Sequence, residues 1–154
     1  MKREYFDATG LVERLHRQFL EVVSLELDRL TIKDINNVQC LILHNISDDE
    51  LTVGELTNRG YYLGSNVSYN LKKMVANGYV EQKPSLHDRR IVQVHLSEKG
   101  KKLRDKIALM YSRHQERLPR ADLSEERLAA MNETLRTLGR FWSNILSQRS
   151  DTTG

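Results

Sequence analysis

The stretch from residue 61 to 101, YYLGSNVSYNLKKMVANGYVEQKPSLHDRRIVQVHLSEKGK, constrains the fold more than any other part of the chain. Val67, Leu71, Met74 and Val75 recur at helical spacing and predict a helix over 65–77 with one apolar face. The opposite face carries Ser65, Asn66, Tyr69, Lys72 and Lys73, with Ser68 on its flank. Gly78 is a helix-end signal. Beyond it the period shortens to about two. Residues 79–83 and 90–96 read as strands, with Val92, Val94 and Leu96 facing inward and Ile91, Gln93 and His95 outward. The turn between them, 84–89, puts Arg89 and Arg90 at its tip, and Ser97 opens another helix. A short polar-faced helix followed by a hairpin with a basic tip fits few architectures.

The flanking segments are helical. Val12, Leu15, Phe19, Val22, Val23, Leu27 and Leu30 predict a first helix over 7–30, capped by Asp7 or Thr9. Asp34 is the expected cap of a second helix over 35–46, whose apolar face is Val38, Leu41, Ile42 and Ile46. Leu51 to Val53 is short enough to pair as a strand with the later hairpin. Thr52 also suits the N-cap of a helix over 53–58, with Glu55 completing a capping box and Gly60 ending it. A fifth helix runs from Ser97 to about Leu118 with the stripe Leu103, Ile107, Met110, Tyr111, His114 and Leu118, and Pro119 stops it. Ser124, followed by Glu125 and Glu126, starts a sixth helix that carries Leu128, Met131, Leu135, Leu138, Phe141, Trp142 and Ile145. The tail SDTTG is expected to fray. The chain of 154 residues has room for one domain, mainly α with a small β hairpin.

Charge is distributed unevenly. Residues 1–58 carry 6 Lys and Arg against 11 Asp and Glu, whereas residues 59–106 carry 11 against 4. The positive charge is therefore concentrated around the helix–hairpin unit, where a polyanion would be met. A lone cysteine, Cys40, excludes an intrachain disulfide and points to a reducing compartment. The N-terminal MKREYFDATG has no apolar core and no apolar run approaches a membrane span, so a cytoplasmic location and no membrane partner are expected. No nucleophile–base pair, Gly-rich phosphate loop or metal-ligand cluster is visible, which argues against an enzyme and implies no cofactor. The five histidines show no H-x-x-x-H spacing, so no metal site is expected. Cys40 lies in mid-helix between Gln39 and Leu41 without an adjacent Lys or Arg, which reads as a packed thiol rather than a redox sensor.

Two signatures carry a family resemblance. Met74-Val-Ala-Asn-Gly78-Tyr-Val80 resembles L-x-x-x-G-[LY]-[IV], which ends the recognition helix of MarR-type regulators. Asp88 to Gly100 resembles their wing signature D-x-R-x-x-x-V-x-L-[ST]-x-x-G at every fixed position. Length and helix order fit as well, so the resemblance covers essentially the whole chain. It implies a winged helix-turn-helix core at 34–96, flanked by long dimerisation helices at 7–30 and 97–148 in a single domain. It also implies a transcription regulator that binds DNA as a homodimer. Ser65 to Val75 would lie in the major groove, with Asn66, Ser68 and Tyr69 reaching base edges and Ser65 and Lys72 nearer the backbone; Lys73 belongs to the same face. Arg89 or Arg90 would enter the minor groove, and the family pattern favours Arg90, oriented by Asp88.

The resemblance further implies a pseudo-palindromic operator, two recognition helices lying about one DNA turn apart. It implies a repressor released by a small aromatic effector. His16, Phe19 and Cys40 are the candidate effector contacts, with ordinary packing as their other reading. An alternative function for the basic hairpin is a winged-helix interaction module that meets an acidic protein partner.

Overall fold

The computed structural model describes residues 2–60 and 62–149; Tyr61 and the tail at 150–154 lie outside the described residues. The chain divides into two compact units, residues 1–110 and 111–154.

The first unit opens with α1, Lys2–Arg29. It begins earlier than the expected residue 7. Residues 2–6 contain no Gly or Pro, and Glu4 sits in the first turn, where the helix dipole favours a negative charge. Asp7 and Thr9 are consequently interior residues rather than caps, and Thr9 Oγ1 donates to the Phe6 carbonyl one turn back (2.8 Å). Only the far end of α1 is buried in the core, through Val23 and Leu27. The second helix, α2, spans Asn37–Ile46. Its cap is Asn36 and not Asp34: Asn36 Oδ1 accepts from the Gln39 N–H (2.9 Å), and Gln39 Oε1 accepts from the Asn36 N–H (3.1 Å). This reciprocal pair satisfies two amide donors that would otherwise be left open. Asp34 is instead a tertiary anchor.

Strand β1, Leu51–Thr52, runs directly into α3, Val53–Gly60. Thr52 serves both expected roles, pairing with Gln93 and accepting from the Glu55 N–H through Oγ1 (3.1 Å). Helix α4, Gly64–Ala76, buries Val67, Leu71 and Met74. Gly78 follows at φ +79°, and the amides of Gly78 and Tyr79 donate to Val75 and Met74. That left-handed turn closes the helix and costs a glycine nothing. Strands β2, Val80–Pro84, and β3, Val92–Leu96, pair antiparallel from Val80 opposite Leu96 to Pro84 opposite Val92. The sheet order is β1-β3-β2. Val94 and Leu96 face the core as expected, but Val92 is 41% exposed. Val92 lies beyond the β1 pairing, which ends with Thr52 opposite Gln93. The second strand also starts later than residue 90, because Ile91 still closes the turn by donating its N–H to the Asp88 carbonyl.

Helix α5, Glu98–Arg117, begins at a crowded junction. The Ser97 N–H donates to the Tyr79 carbonyl (3.0 Å), and Ser97 Oγ donates to the Gly78 carbonyl (2.5 Å) while accepting from the Gly100 N–H (3.1 Å). A Cβ on Gly100 would lie 2.2 Å from the Tyr79 carbonyl oxygen. Asp34 closes the junction from the other side. Its carboxylate accepts from Tyr79 Oη (2.5 Å) and Lys99 Nζ (2.6 Å), and Lys99 lies over the Tyr79 ring. Leu103, Ile107 and Met110 continue the core along α5.

The second unit contains the end of α5, a 3-10 turn at Leu118–Ala121 in which Pro119 sits at the start, and α6, Glu125–Ser147. Ser124 caps α6 as expected, accepting from the Arg127 N–H (3.2 Å). No described residue of α6 is buried, and Met131, Leu135, Phe141, Ile145 and Leu146 are exposed.

Two stability effects follow. Gly100→Ala forces a methyl into a backbone oxygen, so chemical denaturation should show a loss of about 1–3 kcal/mol, the cost of overpacking. The Lys99 ammonium, and then the Tyr79 hydroxyl, hold the Asp34 carboxyl below its ordinary range. Folding thus favours the charged form. Its contribution is complete above the unfolded-state carboxylate pKa and fades as pH falls through the lowered native value. Asp34→Asn should therefore be less stable than the parent at neutral pH, and denaturation midpoints of the two should converge as the solution is acidified.

Candidate nucleic-acid interface

The helical period of 65–76 decides which side chains α4 offers to solvent. Val67, Leu71 and Met74 are held inward, so Ser65, Asn66, Ser68, Tyr69, Lys72 and Lys73 are all exposed. The six residues expected on the polar side thus share one surface. Tyr69 is 60% exposed despite its ring, and Lys73 Nζ lies 4.7 Å from the ring centroid. The i, i+4 spacing places the cation against the aromatic face, which limits the tyrosine's rotation.

The wing tip is built by an aspartate that organises its own turn. Asp88 Oδ1 accepts from the backbone N–H of Arg90 (3.0 Å), the local side-chain-to-backbone bond that Asp favours in turns. The same carboxylate takes the guanidinium as a fork, from Nε to Oδ1 and from Nη2 to Oδ2, both 3.1 Å. The Arg90 hydrogen bonds lower the Asp88 pKa. The Arg90 side chain is 90% exposed, so this pair adds little to stability. Its consequence is geometric: Nε and Nη2 are held by one carboxylate while the guanidinium stays exposed. Arg89 is exposed at the same tip. Lys83 Nζ, lower on β2, pairs with Glu50 Oε1 (2.5 Å) and ties the hairpin to the segment before β1.

A relay between α2 and α4 was not anticipated from the sequence. Gln39, buried as the third residue of α2, donates from Nε2 to Asn70 Oδ1 (3.2 Å). Asn70 Nδ2 donates in turn to the Asn66 carbonyl (2.9 Å). The capping box of α2 is therefore hydrogen-bonded, through two carboxamides, to the backbone of the first turn of α4. The Asn36-x-x-Gln39 spacing that signals such a box is present in the sequence; the long-range half of the relay has no local signal.

The three candidate effector residues are differently placed. His16 is exposed on α1, Phe19 is half-buried, and Cys40 is 1% exposed in α2. Burial pushes the Cys40 thiol up to about 12, which leaves it protonated at neutral pH. Among the described residues, no group of His, Cys, Asp or Glu is arranged to hold a metal ion, and no helix is long and apolar enough to cross a membrane.

Comparison with known proteins agrees with this geometry. A family model described as the MarR family matches residues 33–91. The exopolysaccharide II synthesis transcriptional activator ExpG of Rhizobium meliloti (strain 1021) is 34% identical over 140 residues, covering 91% of this chain and 72% of the relative. Among solved structures, the fold is similar to Streptococcus pneumoniae FabT in complex with DNA, at a TM-score of 0.73 and 22% identity over 92% of this chain and 99% of that one. It is also similar to the S. aureus MepR–DNA complex, at a TM-score of 0.74 and 20% identity over 88% and 97% of the two chains. With the helix–wing surface, its basic charge and a relative at this level of identity in view, the chain belongs to the MarR family of winged-helix, DNA-binding transcription regulators and is not an enzyme.

Proposed function

We propose that the protein acts as a homodimer on a pseudo-palindromic operator, with α4 in the major groove and the wing tip in the minor groove. The observation that carries this reading is the Asp88–Arg90 fork, which presents an oriented, exposed guanidinium from the most basic segment of the chain. Asn66, Ser68 and Tyr69 are the proposed base readers; Asn can pair in bidentate fashion with adenine, and hydroxyls suit bases or phosphates. Ser65, Lys72 and Lys73 meet the phosphate backbone, and Arg89 and Arg90 the minor groove, whose narrow A·T tracts attract arginine. Residues 34–96 form the DNA-binding lobe in this scheme, and 7–30 and 97–148 pair the two copies. Exposed apolar side chains on α1 (Tyr5, Phe6, Leu11, Leu15) and on α6 (Met131, Leu135, Ile145) support that pairing, since such surface is ordinarily covered in the working assembly. A DNA-bound regulator without membrane partners works in the cytoplasm.

We further propose that the protein represses until a small aromatic effector, met by His16, Phe19 and Cys40, releases it. Such a ligand regulates only by binding the DNA-competent and incompetent states with different affinity. One observation favours a second reading of the sign: the relative from Rhizobium meliloti is named a transcriptional activator. Activation needs the same operator contact, with the dimer placed upstream of the promoter instead of across it.

Operator fragments selected from genomic DNA by the purified protein test the whole reading. Arg90→Ala should weaken binding about 10-fold or more, on the scale of one good charge-assisted contact, while sedimentation shows an intact dimer. Binding should also fall steeply with salt as condensed counterions are released. Unchanged operator affinity in Arg90→Ala would remove the wing assignment, and selection of no DNA fragment would leave the acidic-partner alternative.

A further inference from the structure

The hairpin tip carries apolar surface that its own fold does not use. Leu86 is 96% exposed, and Ile91 and Val92 are 43% and 41% exposed. Turns select Gly, Pro, Asn, Asp and Ser, so local structure gives no reason for a leucine at 86. Packing gives none either, because a side chain this exposed buries almost no area in the folded chain. Yet the backbone around Leu86 is fixed. The Ser85 N–H donates to the Ile91 carbonyl (2.7 Å). Ser85 is itself buried, and its Oγ accepts from the His87 N–H across Leu86 (3.3 Å). Ile91 in turn donates to the Asp88 carbonyl (3.0 Å). Leu86 is therefore held outward by a closed turn, on the same tip as the guanidinium that Asp88 holds. A lone exposed leucine is ordinary. An exposed apolar trio interleaved with Arg89 and Arg90 is a mixed surface that fits few partners.

We propose that Leu86 is a DNA contact, entering the minor groove beside Arg90 and packing on the deoxyribose faces that wall it. The inference rests on the operator reading above and adds to it a contact of different chemistry. The groove offers both halves of what the tip presents. Base-edge acceptors on its floor and phosphates on its rim suit the guanidinium groups. The C–H faces of the sugars between them are apolar and suit a leucine. Proteins that bind this groove place apolar side chains next to basic ones in the same way. Charge selects this occupant over an apolar protein face, against which Arg89 and Arg90 would lose their hydration without gaining a counter-charge. Leu86 carries no charge and releases no counterion, so its share of the affinity is independent of salt, unlike that of the lysines and arginines around it.

The full-length parent, Leu86→Ala, Leu86→Met and Lys72→Ala are titrated over a range of salt with a genomic fragment that the parent selects. Leu86→Ala should bind about 10-fold more weakly at every salt concentration, the scale of a leucine side chain losing its cover. Its plot of log affinity against log salt should run parallel to the parent's. Lys72→Ala, which removes a proposed phosphate contact, should instead flatten that plot by about one. Leu86→Met keeps the apolar volume and should bind close to the parent. Hydroxyl radicals cleave DNA at deoxyriboses exposed in the minor groove, so sugars protected by the parent should be cut again under Leu86→Ala. Unfolding midpoints equal to the parent's show that the variants fold. Parental affinity and protection in Leu86→Ala overturn the proposal and point to a protein partner for the patch. A loss that flattens the salt plot, or that Leu86→Met shares in full, overturns it as well. A parent that binds no fragment removes the operator reading and this contact with it, and that result is seen before any variant is compared.

Discussion

The close approach of α5 to the end of α4 is the constraint on which the rest of the helix–hairpin unit depends. Gly100 packs directly against the Tyr79 carbonyl, a distance no side chain could share. Ser97 occupies the same corner and bonds both backbone neighbours, the Gly78 and Tyr79 carbonyls. Those carbonyls belong to the turn that ends α4 and begins β2. One short segment therefore fixes the direction in which the recognition helix stops, the hairpin leaves and α5 departs. Asp34 extends the anchor to the approach of α2 through Tyr79 and Lys99. Such a junction transmits position well because the side chains of Asp34, Tyr79, Ser97 and Lys99 are all hydrogen-bonded in it, and a partly satisfied version would cost free energy.

With that corner fixed, α4 and the hairpin tip are held by different physics. The α4 surface is positioned by burial: Val67, Leu71 and Met74 are almost fully enclosed, and their spacing turns the polar residues outward. The wing tip has no core beneath it, as the exposure of Val92 and Ile91 shows. Order there comes from hydrogen bonds within the turn: the Ser85 and Ile91 amides close it, and the Asp88 carboxylate accepts from the Arg90 amide and aims the Arg90 side chain. In the proposed function, burial gives α4 a stiff, preset surface for reading bases, while a hydrogen-bonded tip can give way as it enters a groove of variable width. The basic charge gathered in this segment then favours the encounter with a polyanion before any specific contact forms.

The helical unit at 111–154 presents a different balance. Its α6 is amphipathic in sequence yet buries no described residue within its own chain. Short-range signals were sufficient to build it: Ser124 caps it, acidic residues follow, and good helix formers fill it. What such a helix packs against is a question of assembly, and in the proposed function its apolar stripe meets a second copy.

Much of this molecule was legible in the sequence because its information is local. Helical spacing, the Gly78 turn, the Ser97 and Ser124 caps, the hairpin pairing and the Asp88–Arg90 turn all act over a few residues, so each leaves a pattern that can be read in order. The family signatures at 74–80 and 88–100 draw on the same local chemistry; the last glycine of the wing signature is the one that needs the close approach. Sequence and structure part where two local solutions compete. Both Asp34 and Asn36 are good caps, and the reciprocal bond with Gln39 selects Asn36 while freeing Asp34 to bind Tyr79 and Lys99. Tertiary structure alone decided those long-range partners and the Gln39–Asn70–Asn66 relay. Each depends on residues far apart in sequence being brought within hydrogen-bonding or van der Waals distance, and a one-dimensional pattern carries no record of that distance.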